Sequence, residues 1–199
     1  MLVLDDVVVY SASDLAAAAR CAYALLRAFD AHLKWGPPVV AGDELLARTS
    51  KLGYEHEQRR LDELRAKVGE NATIIGRPAH SRAGLIAAAE QTKQAVNQRS
   101  PLIVQAAMFD GRFVGFADFL VLEQDSYRLR DTKLARSVKV TALLQLAAYA
   151  DALGRDGVPV LDEVELALGN GTLMSYPVRE LLPVYRSRRR ALQELLDRH

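Results

Sequence analysis

The chain has 199 residues, half of them hydrophobic, which suits one domain with a substantial core. Its 26 basic residues nearly balance 25 acidic ones, so it is no bulk-basic nucleic-acid binder, and phosphate contacts must come from local patches. One cysteine excludes an internal disulfide framework and fits a reducing, cytoplasmic setting. The sequence shows no signal peptide and no apolar run long enough for a bilayer, so no membrane partner is expected.

Residues 1–10, with Val7, Val8 and Val9, read as a short extended segment. Ser11 followed by Asp14 has the form of a capping box. A helix is predicted over 12–33, with Leu15, Ala18, Ala22, Leu25, Leu26 and Phe29 on one side. Cys21 lies in it, where a lone cysteine is usually a small buried hydrophobe. Gly36-Pro37-Pro38 stops that helix, and 39–42 read as a linker. A second helix is predicted over 43–68. At 100° per residue Leu46, Leu61, Leu64 and Val68 form its apolar stripe, with Glu57 inside the stripe and His56 at its edge. An acid there needs a partner, either a nearby base or an active site.

Residues 72–77 read as a short strand and 78–80 as a turn, with His80 at the surface. A helix follows over 81–98, with Leu85, Ile86, Ala89 and Val96 inward. Residues 102–109 are an apolar strand, and Asp110-Gly111 signals a hairpin into a strand over 113–123. Gln124-Asp125 is a polar break before a strand over 127–133. A helix over 138–154 carries Leu143, Leu144, Leu146, Ala147 and Ala150 on its apolar side. Residues 162–168 and 172–178 are strands around Gly169-Asn170-Gly171. The last helix, 179–199, carries Arg186, Arg188, Arg189 and Arg190, a run that reads as a solvated face. It ends without a stop signal, so a longer parent chain is expected. This order of elements gives an α/β (α+β) domain with a mixed central sheet flanked by helices.

A two-residue turn at Gln124-Asp125 puts Asp118 directly opposite Asp131, on the face shared by Leu120, Leu122, Leu129 and Lys133. Like charges across a strand pair repel, and burial makes this worse unless something positive intervenes. A hard divalent cation such as Mg²⁺ takes one or two carboxylates. Lys133 is within reach of whatever that cation binds. The plainer alternative is a salt-bridged hairpin in which Lys133 balances Asp131. Gln145 and Tyr149, four residues apart, share a face of the next helix. Tyr149 also reads as a residue at the core edge with its hydroxyl in water.

Gly115…Asp118, then Asp131-Thr132-Lys133, then Gln145…Tyr149 form an ordered set. It resembles the motifs of the RecB-like nucleases of the PD-(D/E)XK superfamily, over Ser11 to about Leu168. The opening Ser11, Ser13, Leu15, Cys21 and Tyr23 is similar to the family's entry. In the related CRISPR adaptation nucleases such a cysteine is the first of four iron–sulfur ligands. Cys21 qualifies only if three more cysteines lie beyond residue 199.

The resemblance implies a restriction-endonuclease-like fold in a single nuclease domain. Residues 1–70 form its helical N-terminal part, 71–178 its core sheet with the motif helix, and 179–199 its C-terminal helix. It also implies a metal-dependent deoxyribonuclease using Mg²⁺ or Mn²⁺. Gly53, His56 and Glu57 match the family's Gly-x-x-His-Glu pattern. His56 is then a metal ligand with Asp118, Asp131 and the Thr132 carbonyl, and Glu57 stands behind them. Lys133 positions the nucleophile or neutralises phosphate, and Gln145 and Tyr149 orient the strand or Lys133. Arg130, Arg136 and Lys139 are candidates for contacts to the nucleic-acid backbone. The implied substrate is DNA that is single-stranded or has free ends, in repair or processing, with a helicase domain as a possible partner. Two alternatives stay open: an inactive nucleic-acid-binding module of a helicase–nuclease assembly, and an interaction domain with coincidental motifs.

Overall fold

The computed structural model describes residues 1–37, 44–69 and 71–199, and the side chains of 44–49 are not described. The predicted linker, the start of the second helix at Asp43 and the place of Leu46 in its stripe lie outside what is described. The chain runs β1 (Leu2–Leu4), β2 (Val7–Ser11), α1 (Ala12–Arg20), α2 (Ala22–His32), α3 (Glu44–Val68) and β3 (Ala72–Ile74). It continues α4 (Arg82–Asn97), β4 (Leu102–Phe109), β5 (Phe113–Glu123), β6 (Ser126–Lys133), α5 (Val140–Arg155), β7 (Glu163–Leu168), β8 (Leu173–Pro177) and α6 (Val178–Asp197). Among the described residues no helix is long and apolar enough to cross a membrane.

The strands make one mixed sheet of eight, and β5 is its axis. On one side β4 runs antiparallel to β5, with Val104 opposite Phe119 and Ala106 opposite Ala117. The other side of β5 is shared. β2 pairs in parallel only with Phe113 and Val114, and β6 pairs antiparallel only from Phe119 to Glu123. Residues 115–118 of β5 therefore lie in a notch of the ladder between β2 and β6. The predicted two-residue turn is present: Glu123 pairs with Ser126 and Leu120 with Leu129. Continuing that register brings Asp118 opposite Asp131.

Strand alternation gives the sheet two apolar faces. Ile103, Leu120 and Leu129 face the main core with α5, while Leu102, Val104 and Phe119 pack with Leu61 and Leu64 of α3. The predicted α3 stripe is thus real at Leu61 and Leu64. Ile86, expected inward, is exposed on α4, whose buried side is Leu85, Ala88, Ala89, Thr92 and Ala95.

Two local corrections concern the first 33 residues. The opening segment is a hairpin, because Asp5 and Asp6 both take positive φ (50° and 60°), the backbone of a tight two-residue hairpin turn that Asp tolerates. The single predicted helix is two helices. The capping box at Ser11 and Asp14 forms, but Cys21 leaves helical space (φ −160°, ψ 104°) and caps α2 through its Sγ, which accepts from the Ala24 amide at 3.4 Å. No proline or glycine marks the break, and α1 is placed by its packing on α5 and α6. Cys21 is consequently exposed, not a buried hydrophobe.

The arginine run of α6 is also less solvated than it reads. Arg189 donates to the Tyr10 hydroxyl at 3.0 Å and to Asp151 at 3.3 Å, and Arg186 donates to Asp151 at 3.1 Å. Within the run Arg189 faces inward with Gln193, four residues on, while Arg186 reaches Asp151 from the surface and Arg188 and Arg190 stay exposed.

Candidate active site

The notch collects the motif residues. Asp118 projects from β5 where no ladder partner faces it. The Thr132 amide, which would otherwise extend the β6 ladder, donates to its carboxylate at 2.7 Å, and the Thr132 hydroxyl does the same at 2.7 Å. Asp131 is buried and forms an ion pair with Lys133. The hairpin thus brings Asp118, Asp131 and Lys133 together, as the register predicts.

The electrostatics are those of crowded carboxylates. Burial, then the charge of Asp118, pushes Asp131 up to about 8, against the pull of Lys133. For Lys133, burial alone would lower the ammonium, but Asp131, Asp118 and Glu57 outweigh it and hold it above its ordinary value. Asp118 raises both partners, by repelling the Asp131 carboxylate charge and by supporting the Lys133 ammonium. Burial and Asp118 thus make the Asp131 carboxylate easier to protonate, while the surrounding carboxylates favour the charged form of Lys133.

That proton has a consequence for stability. An unfolded Asp titrates near ~4, so between there and about 8 the folded chain binds the extra proton. Stability from this site is complete below the unfolded value and is lost as pH rises through the folded one. In EDTA the urea midpoint is expected to fall from pH 5 to pH 8. Asp131→Asn should flatten that slope, and an unchanged slope would contradict the assignment.

Gln145 and Tyr149 approach from α5. The Gln145 amide donates to Ser13 Oγ at 3.3 Å, which links the Ser-x-Ser entry of α1 to the motif helix. Gln145 also lines a cavity of about 170 Å³ with Lys133, Ser137, Lys139 and Thr141. Tyr149 is buried, and burial, then Asp131 and Asp118, raises its hydroxyl well above the usual range, so it stays neutral.

Gly115 explains itself here. A Cβ at that position would lie 2.9 Å from Tyr149 Cε1 and 3.1 Å from Phe113 Cε1. The motif glycine is the space into which the Tyr149 ring fits. Gly115→Ala is expected to lose about 1–3 kcal/mol by overpacking. Tyr149→Ala in the same chain should recover most of the loss in urea titrations.

The two candidate residues of α3 face different neighbours. His56 is buried, with Nε2 3.5 Å from the Ala167 carbonyl of β7. Ala167 is the register partner of Thr132, so His56 sits one strand away from the triplet. Glu57 instead faces the carboxylates. Burial and then Asp118 raise it, while the Gln105 hydrogen bond and Lys133 pull it down.

Gln105 has no motif to announce it. It sits in mid-β4 with φ 55°, a left-handed backbone that costs a non-glycine residue ~1–3 kcal/mol and survives only when its surroundings enforce it. Its flanking pairs place it across from Asp118. Its amide donates to Glu57 at 2.6 Å and to Asp118 at 3.4 Å, holding two like charges apart.

The candidates for backbone contacts divide. Arg130 is withdrawn from that role: its guanidinium donates to Glu165 at 2.8 Å on the neighbouring strand, with Arg128 bonded to Glu123 beside it. Arg136 and Lys139 are exposed just beyond Lys133.

Among the described residues no three His, Cys, Asp or Glu side chains form a ready-made metal cage. The donor set still fits a hard cation. Two carboxylates crowd each other, one of them desolvated, and Mg²⁺ typically takes one or two carboxylates and leaves its other positions to water and substrate oxygens.

The PD-(D/E)XK nuclease superfamily, compared as a family, matches residues 9–194. No curated protein matches the chain. Proteins of this superfamily are typically nucleases that act on nucleic acid with divalent metal ions. The match runs from β2 to α6 and spans the notch, the hairpin and the motif helix, so the chain belongs to the PD-(D/E)XK nuclease superfamily.

Proposed function

We propose that the protein is a RecB-like, metal-dependent deoxyribonuclease that hydrolyses phosphodiester bonds in DNA with a single-stranded part or free ends. Repair or processing of cytoplasmic DNA is the matching role. The observation that carries this reading is the contact of Asp118, Asp131 and Lys133 in the notch of β5. A domain used only to bind phosphate gains nothing from clustered carboxylates.

In this reading Asp118 and Asp131, with the Thr132 carbonyl, would hold Mg²⁺ or Mn²⁺. Chemistry supplied by such an ion, when bound, would be a lowered pKa of water and neutralised charge on the phosphoryl group. The Thr132 amide and hydroxyl fix the Asp118 carboxylate. Lys133 orients the attacking water or stabilises the phosphate charge. Tyr149, neutral and packed on Gly115, braces the lysine side of the site, and Gln145 aligns the strand. Arg136 and Lys139 take neighbouring phosphates. His56, whose Nε2 lies 3.5 Å from the Ala167 carbonyl on the neighbouring strand, is the remaining candidate ligand. Cys21 serves an iron–sulfur cluster only if three cysteines come from beyond residue 199. A helicase domain in a longer chain would be the natural supplier of unwound strands.

The test uses labelled single-stranded and duplex DNA with Mg²⁺, Mn²⁺ or EDTA. Cleavage that needs the metal and is lost in Asp118→Asn is expected. Tight binding of DNA without cleavage under every metal condition would favour the inactive binding module. No binding at low salt would leave an interaction domain.

A further inference from the structure

A cleft of about 650 Å³ opens beside the notch, between α3 on one side and β3, β4 and β5 on the other. Its volume is that of a ligand site. Gln105 and Glu57 form its inner wall, and Gln105 touches Asp118, so the cleft leads directly to the carboxylates. Ile75, Val104 and Phe116 make an apolar floor. Tyr54 stands at the rim, 63% exposed on α3. Arg65 and Arg77 line the cleft as well, and among the described residues neither has an ion-pair partner.

We infer that this cleft receives one unstacked nucleobase of the substrate strand, next to the phosphodiester that is cut. The inference rests on the nuclease reading above and adds a site to it. An apolar floor with aromatic side chains suits the face of a base, which stacks without regard to sequence. Two unpaired guanidinium groups complement the phosphates on either side of that base. A peptide or an apolar small molecule would leave both arginines without a counter-charge. A base stacked in a duplex cannot lay its face on this floor, and extruding it costs a few kcal/mol that an already single strand avoids. The cleft therefore selects strands unpaired at the cleaved nucleotide, and it does so through contacts that carry no base identity.

The experiment is an abasic scan. Single-stranded oligonucleotides, each lacking one base at successive positions, are cleaved by the full chain with Mn²⁺, and the cut site is mapped. At one position within two nucleotides of the cut, loss of the base should raise KM about tenfold, the scale of one base–aromatic stack. In Phe116→Ala that penalty should vanish. Arg77→Ala, an exposed change that leaves folding intact, should raise KM on every oligonucleotide alike and leave kcat unchanged. A flat scan with cleavage intact overturns the cleft, as does a penalty indifferent to Phe116→Ala in a variant shown to be folded. If no oligonucleotide is cut, fluorescence anisotropy on the same set decides. Binding that drops at one missing base keeps the cleft and sinks the nuclease reading. Binding that is flat sinks both.

Discussion

Lys133→Ala is expected to lower DNA cleavage by about 100- to 1000-fold while the fold persists, the scale of removing one preorganised electrostatic group. Among the described residues Lys133 is the one cation placed against Asp131, and its charge is favoured by three carboxylates, Asp131, Asp118 and Glu57. Alanine removes that charge and leaves Asp131 buried beside Asp118. Asp131 can answer by holding its proton more firmly, since burial and Asp118 already push it that way. Folding should therefore survive, with circular dichroism unchanged and a modest fall in the urea midpoint. Loss of activity together with the fold would make Lys133 a structural residue, and full activity in a folded variant would remove it from the chemistry.

Gly169→Ala should be the most damaging small substitution outside the motifs. Gly169 lies in the β7–β8 turn, and its amide donates to the Ala135 carbonyl at 3.1 Å. A Cβ there would fall well inside the carbonyl of Leu134, the residue after Lys133. The neighbour is backbone on a strand end, which cannot swing aside like a flexible side chain. A loss at or above the upper end of the usual overpacking range, about 3 kcal/mol, is expected. Cleavage should fall further than stability explains, because relief of the clash displaces Leu134 and with it Lys133. The check is a urea titration beside kcat at a temperature where the variant is fully folded. A variant of normal stability and activity would show that the turn yields freely.

The parts of the fold that were legible in the sequence are those set by local chemistry. A polar two-residue break between alternating strands fixed the β5–β6 register, and with it the approach of Asp118 to Asp131. Ser11 and Asp14 announced a helix start that the structure contains. What escaped depends on partners far away along the chain. Arg130 reads as a free base, yet Glu165 lies 35 residues on and one strand over. Arg189 reads as solvated until β2, α5 and α6 close around Tyr10 and Asp151. His56 and Glu57 point about 100° apart on α3, and what each meets, the Ala167 carbonyl of β7 or Gln105 of β4, comes from strands far along the chain. Gln105 is polar in an otherwise apolar strand, which was its one visible sign; the left-handed backbone that aims it could not be read from residue type.

The arginines of α6 also tie the motif helix to an element that carries no motif residue. Asp151 is buried on α5, two residues from Tyr149, and takes Arg186 and Arg189 from α6. Without α6, Arg155 on its own helix would remain as a counter-charge. A chain cut before Val178 would thus keep every motif residue but leave the motif helix with a carboxylate that favours water over the core.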